Sequence, residues 1–413
     1  MVGGLSLKII VDRKPGVNGV TETNQNEHIE FSKEVYGVIK KNYWDKIDDK
    51  NLAEVYRLAN EKLTGQLESK ELTNENEVMG MITNTIKKLD DDKKDAYVTE
   101  LAQMVLTNLK PFGRNGLFGK QQEEALRNQV ANIDPGKDLY QDLETDKGAS
   151  VEEVDKAYLE QKKILEEESR VSTEAAKKLE KVEQAHEVLS NDQSKKIYDQ
   201  TGAEPTVFSK VMLGNIFYIR IAKMSPISFE EFKLAADSSL DRPELNTLIL
   251  DLKGNIGGAI DTMPFFLGPF LGKGQYAYEF FHQDEYTPFK TRIGWMDSLV
   301  KFKNVVILID EMTQSSAEVM ASSLKKYNVG TLVGSTTRGW GTIENTFKLE
   351  SKLAQTQEMS LFLVHSLTIG ENGQPIEGVG VTPNIDVGKT GWKVELFNKF
   401  SSREIVTAVE SIK

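Results

Sequence analysis

The chain has 413 residues, 39% hydrophobic and 28% charged, with a net charge of −12. That length fills two or three domains, and the acidic balance excludes a general nucleic-acid binder, which needs a basic face. With no cysteine, disulfides, thiolate catalysis and cysteine-ligated metals are excluded, and no apolar run reaches the roughly 18 residues of an integral membrane segment.

The opening MVGGLSLKIIVDRKPG lacks the layout of a signal peptide. The expectation is a cytoplasmic protein, the alternative an exported one whose leader has been removed. Residues 1–28 read as a flexible tail with one short strand at Leu5–Val11. Residues 29–136 read as a helical region, because EFSKEVYGVIKKNYW and DKNLAEVYRLANEKL place apolar residues at helical spacing. The Gly-rich stretch 111-PFGRNGLFG-119 is a loop.

Residues 137–204 form a second helical unit. Ser150 with Glu153 is a capping box that opens one helix, TEAAKKLEKVEQAHEVL is a second, and SNDQSKKIYDQTG closes the unit with a short third. Over 205–393 the pattern changes to apolar strands alternating with helices: NIFYIRIA, TLILDLKG, NVVILID, TLVG and MSLFLVHSLTI are the strands. This predicts an α/β core with a largely parallel sheet and flanking helices, α+β for the chain as a whole. Residues 394–413 read as an amphipathic C-terminal helix.

Ser315 follows a buried strand and opens a helix. Free N–H groups and the positive dipole end at a helix start stabilise a developing oxyanion. The turn 254-GNIGG-258 follows the strand TLILD and offers further N–H groups with no side chains in the way. Together they outline an acyl-transfer site with Ser315 as nucleophile. The plainer explanation is that Ser315 and Glu318 form a capping box, S-x-x-E, with no chemistry.

Five segments between residues 214 and 387 resemble, in order, the tail-specific or C-terminal processing serine peptidases. IFYIRIAKMSPISFEEFKLA resembles the family's opening strand and helix, and LILDLKGNIGGAID its LDLRGNPGG signature. VVILIDEMTQSSAEVMASSLK is similar to the nucleophile segment, TLVGSTTRGWG to G-x-x-T-x-G-K-G, and GQPIEGVGVTPNIDV to the closing GxGvtPDi.v. Helix 33-KEVYGVIKKNYWDKIDDKNL-52 resembles the family's N-terminal helix. The resemblance implies Ser315 as nucleophile of a serine-type endopeptidase. It places the oxyanion donors on the backbone of Ser316 and of Gly257 or Gly258, and implies neither metal nor cofactor.

The same resemblance exposes a departure. The family's general-base lysine falls on Trp340, and its glutamine on Glu344. A second branch uses a histidine, whose counterpart in 109-LKPFGRNG-116 is Phe112. A serine hydroxyl is a weak nucleophile without a base. The remaining candidates are Lys325, Lys326, Arg338, Glu344 and His365. Arg338 stays protonated, the two lysines sit a turn or more along the helix, and His365 is an alternative base in a strand. His28, His186 and His282 have no partner visible in the sequence. Trp340 fills a vacated lysine pocket, plugs the site, or stacks on a bound peptide.

A PDZ domain is usual in this family between the N-terminal helices and the core. Instead, 137-KDLYQDLETDKGASVEEVDKAYLEQKK-163 and 183-EQAHEVLSNDQSKKIYDQTG-202 resemble a J-domain. That domain's His-Pro-Asp loop aligns near Glu166, Glu167 and Glu168 and is not found. The expected partners are peptide or unfolded protein tails at the serine site, and through residues 137–204 a protein with a basic face. The expected function is a tail-specific peptidase-like protein, the alternative a pseudopeptidase that works as a peptide-binding scaffold or adaptor.

Overall fold

The computed structural model describes residues 22–353 and 358–412. Its strands are β1 (Gly116–Gly119), β2 (Val207–Met212), β3 (Ile216–Ile221), β4 (Thr247–Asp251), β5 (Tyr276–His282), β6 (Glu285–Lys290), β7 (Asn304–Ile309), β8 (Thr331–Gly334), β9 (Thr342–Lys348), β10 (Met359–Ile369) and β11 (Ile385–Asp386). The chain divides into two compact units. The first takes the residues up to 124 with 279–288 and 341–369; the second takes 125–278, 289–340 and 370 onward.

In the first unit four helices, Glu22–Asn42, Asp49–Thr64, Glu75–Ile86 and Asp91–Thr107, bury one apolar stripe each. Asp48 and Asn74 cap two of them, accepting the N–H of Asn51 and Glu77, which satisfies donors that have no partner inside a helix. Phe31, Val35, Ile39, Tyr56, Ile82 and Leu101 meet in a single core. The first helix begins at Glu22, so residues 22–28, read from sequence as tail, are helical. The buried pair of His28 with Asp95 at 2.7 Å explains this: it pins the helix upstream of Ile29. The strand expected at Leu5–Val11 lies outside the described residues.

The first unit also carries a five-stranded sheet in the order β1–β10–β5–β6, with β9 also paired to β10. The β10 pairings with β1, β5 and β9 are antiparallel. This corrects two readings. The stretch 111–119 ends in β1, and MSLFLVHSLTI does not join the parallel core that residues 205–393 were expected to form. Residues 125–136, read with the N-terminal helices, belong to the second unit.

The second unit is built on a six-stranded sheet, β11–β8–β7–β4–β3–β2, parallel from β3 to β11 with β2 antiparallel at its edge. Every residue of β4 and the last four of β7 are buried, as strands covered on both faces require. One face packs on Trp392, Leu396, Ile405 and Val409. These come from two helices, Trp392–Phe400 and Arg403–Ser411, rather than the one expected. Ser401 breaks the run at φ 51°, and the Ser402 side chain caps the second helix by accepting the Ile405 N–H.

Residues 137–204 hold helices Leu139–Asp142, Val151–Glu168, Thr173–Leu189 and Asp192–Thr201 around their own core of Leu139, Tyr140, Val154, Val182 and Leu189. Ser150 and Glu153 form the reciprocal capping box. Asp155 pairs with His186 at 2.7 Å and Lys162 with Glu183 at 3.7 Å. The two long helices therefore run antiparallel. The His186 ring also stacks on Tyr158, 3.7 Å between centroids.

Candidate active site

β7 ends at Ile309, and the next residue, Asp310, fixes the turn that follows. Its Oδ1 accepts the N–H of Gly254, Met312 and Thr313 at 2.9, 3.1 and 2.8 Å. The Thr313 hydroxyl donates to the carbonyl of Leu252 at 2.9 Å. The turns after β4 and β7 are thus tied together at one end of the sheet. Gln314 adds a third tie, donating its N–H to the Asn255 carbonyl at 2.9 Å.

Ser315 sits half-buried at the start of the helix Ser316–Lys326 with φ 56° and ψ −125°. A non-glycine residue pays for that backbone. The Ser315 N–H donates to Glu318 Oε2 at 2.8 Å, and the Glu318 N–H meets the Ser315 carbonyl at 2.8 Å. Ser315 and Glu318 form a capping box, in which the Glu318 carboxylate holds the Ser315 N–H and the Glu318 N–H also reaches the Ser315 carbonyl. Among the described residues no side chain is hydrogen-bonded to the Ser315 hydroxyl.

Glycine is required on the other side of the site. A Cβ on Gly257 would lie 2.7 Å from the Ser315 Cβ and 2.9 Å from the Gln314 carbonyl. A Cβ on Gly258 would lie 2.1 Å from the Met224 carbonyl. Buried Asn255 holds the turn. Its Nδ2 donates to the Ile221 carbonyl at 2.8 Å, and its Oδ1 accepts the Gly257 N–H at 2.8 Å. Of the two glycines expected to supply a free donor, Gly257 has therefore spent its own. The N–H groups of Gly258 and Ser316 have no hydrogen-bond partner among the described residues. The Ser316 hydroxyl donates to the Gly258 carbonyl at 2.9 Å, which joins the two segments that carry those donors.

Glu318 does more than the sequence spacing suggests. It is fully buried and accepts four hydrogen bonds. Oε2 takes the N–H of Ser315 and of Trp340, both at 2.8 Å, and Oε1 takes the Thr337 hydroxyl at 2.5 Å and the Gly339 N–H at 2.7 Å. Burial pushes its carboxyl above the usual range, and the four donors pull against that shift. Trp340 is half-buried, with the Arg338 guanidinium 5.8 Å from its ring. The segment is backed by 376–381: Thr337 exchanges bonds with Val381, and the Gly378 N–H donates to the Gly339 carbonyl at 2.9 Å.

The other candidates are engaged elsewhere. Lys325 pairs with Glu371 at 2.7 Å and donates to the Thr382 carbonyl; Lys326 lies over the Tyr276 ring at 4.2 Å. Glu344, His365 and Phe112 belong to the first unit. There Glu344 accepts the Thr342 hydroxyl at 2.6 Å, and that hydroxyl accepts Arg114 at 2.9 Å. His365 occupies a register irregularity of β10, between Val364 and Ser366. Its Nδ1 bonds the Ser366 hydroxyl at 2.8 Å, and its ring stacks on His282 at 4.2 Å. Burial, then the charge of His282, lowers its pKa. Phe112 is 67% exposed. Among the described residues one side-chain group, Glu27, His28 and Asp95 in the first unit, brings three potential metal-ligand atoms within 4.8 Å, and His28 and Asp95 are already paired.

The site therefore brings together a serine in strained backbone after a buried parallel strand and two N–H groups, of Gly258 and Ser316, without partners among the described residues. Residues 215–387 match the model of peptidase family S41. The chain is similar to the carboxy-terminal-processing protease of Bartonella bacilliformis, 26% identical over 178 residues, which are 42% of this chain and 39% of that protein. It is also similar to the carboxy-terminal processing protease CtpA of Bacillus subtilis, 32% identical over 140 residues, 34% of this chain and 29% of that one. The chain thus spans well under half the length of these curated relatives. In fold it is similar to the photosystem II D1 C-terminal processing protease, with a TM-score of 0.51 at 14% identity over 89% of this chain and 94% of that one. No described helix is long and apolar enough to cross a membrane.

Proposed function

We propose that this chain is a C-terminal-processing serine peptidase-like protein that binds peptide or protein tails at Ser315 and turns them over slowly, because its general base is gone. The observation that carries the reading is the strained Ser315 backbone between two segments, joined by the Ser316–Gly258 bond, whose N–H groups at Gly258 and Ser316 have no partner among the described residues. A helix cap needs no such strain, whereas a nucleophile presented on a sharp strand-to-helix turn does. Gly258 and Ser316 would hold the carbonyl oxygen of a bound peptide as charge develops on it. Gly257 would serve by its shape, letting the turn approach the serine.

Trp340, at the position of the family lysine, favours binding over cleavage, since an indole takes no proton from a hydroxyl. General-base help is worth about 10²–10⁴-fold, and an oxyanion site alone retains about 10³–10⁴ over water. The chain would therefore hold a tail far longer than it cuts one. Residues 137–204 would present an acidic, J-domain-like helical module to a basic protein partner.

The test is labelling with a fluorophosphonate probe in the natural chain, in Ser315→Ala and in Trp340→Lys. Weak or absent labelling in the natural chain, with strong labelling in Trp340→Lys that disappears in the double variant, supports the reading. Strong labelling of the natural chain, lost in Ser315→Ala, would show a base at work and make the protein an active peptidase.

A further inference from the structure

We propose that the outer edge of β2 is a second binding site, which takes an extended peptide segment carrying lysine or arginine. β2 ends the order of its sheet, so one side of the strand has no neighbouring strand among the described residues. The Ala222 N–H donates to the Thr206 carbonyl at 2.7 Å, which sets the phase of the antiparallel β2–β3 ladder. Alternation then turns the N–H and C=O of Val207, Ser209 and Val211 away from β3; the Val207 N–H goes to Glu231, which leaves the outward N–H groups of Ser209 and Val211. Such a row is a template for strand addition. Natural edges are often guarded by lysine, but the lysine of β2, Lys210, carries its ammonium 5.3 Å over the Tyr218 ring of β3.

The edge opens into a cavity of about 340 Å³. Val207, Phe208 and Ser209 line it from β2, Leu234 and Glu231 from the helix Ser228–Asp237, and Glu187 from the helical insert. Its lining holds two carboxylates and no lysine, arginine or histidine. Glu187 is exposed. Glu231 is 7% exposed, and its carboxylate accepts the N–H and the hydroxyl of Thr206 and the N–H of Val207. The insert reinforces the sign, with 18 acidic residues against 11 basic ones over 137–204.

The occupant follows from these features. The unpaired main chain selects an extended backbone, and the carboxylates select cationic side chains on it. Glu187, exposed at the mouth, meets the cation. This site is independent of the reading of Ser315.

The test uses the full chain as Ser315→Ala, so that cleavage cannot consume the probe. The probe is the hexapeptide Ac-Val-Lys-Val-Lys-Val-Lys-amide, with its glutamate counterpart and a version N-methylated at alternate residues. Saturable binding of the lysine peptide is expected, with slowed hydrogen exchange at Ser209 and Val211. Ser209→Pro removes one outward N–H and leaves the ladder to β3 intact; it should weaken binding about tenfold, and Glu187→Lys about fivefold. N-methylation should abolish binding, which tests the same point on a protein that is not altered at the edge. No saturable binding at millimolar lysine peptide, equal binding of the glutamate peptide, or indifference to N-methylation would overturn the proposal.

Discussion

Ser315 and Trp340 share one oxygen atom: Glu318 Oε2 accepts the main-chain N–H of both at 2.8 Å. The residue that stands where a base is expected is therefore coupled, through its backbone, to the residue that the base would activate. With Thr337 and Gly339 on the other oxygen, removal of this carboxylate strands four donors. Glu318→Ala should lose about 3–5 kcal/mol, since each unsatisfied buried donor costs about 1–3 kcal/mol and part of the loss is recovered by relaxation. Urea denaturation measures it. A loss below about 1 kcal/mol would mean that the loop re-satisfies itself and that the coupling is weak.

Strain at Ser315 makes a second prediction, with the opposite sign. Glycine adopts φ 56° with ψ −125° far more readily than serine does. Ser315→Gly should stabilise the fold by about 1 kcal/mol while abolishing any fluorophosphonate labelling. A serine kept for capping alone would show a loss of stability on the same change.

The Gly turn responds to bulk. Gly258→Ala puts a methyl group 2.1 Å from the Met224 carbonyl at φ 139° and should cost about 2 kcal/mol or more. In the Trp340→Lys background it should also reduce labelling, because the donor moves. Retained labelling at full stability would separate Gly258 from the oxyanion role.

A pH dependence follows from His365. Its pKa is lowered in the fold by burial and then by the charge of His282, so the unfolded chain binds more protons between the lowered value and about 6.5. Stability therefore rises with pH across that window and is lost as pH falls through it. Urea midpoints between pH 5 and 7.5 should show this slope in the natural chain and a flatter one in His365→Gln. An unchanged slope in the variant would assign the dependence to other groups.

The parallel core was legible because its strands are continuous apolar runs: TLILD and NVVILI read as buried strands and are. MSLFLVHSLTI reads the same way, yet β10 lies in the antiparallel sheet of the other unit. Apolar content reports burial and not strand partners. Ser315 and Glu318 were legible as a pair because they are three residues apart. The bonds from Thr337, Gly339 and Trp340 were not, since they span 19 to 22 residues of sequence and no local spacing rule reaches that far. The stacking of His282 on His365 crosses a far longer gap of 83 residues, and the irregularity that aims His365 leaves no mark in composition. The Gly257 donor, expected to be free, is taken by an asparagine two residues earlier, a local turn that glycine counting overlooks.

The grip of Glu318 on position 340 is a grip on the main chain alone. Any amino acid except proline offers the same N–H there. The main-chain hold on 340 is thus the same whichever side chain stands there. Under the proposed reading, a change of side chain at 340 would alter the chemistry beside the serine while the turn that holds Ser315 keeps its bonds.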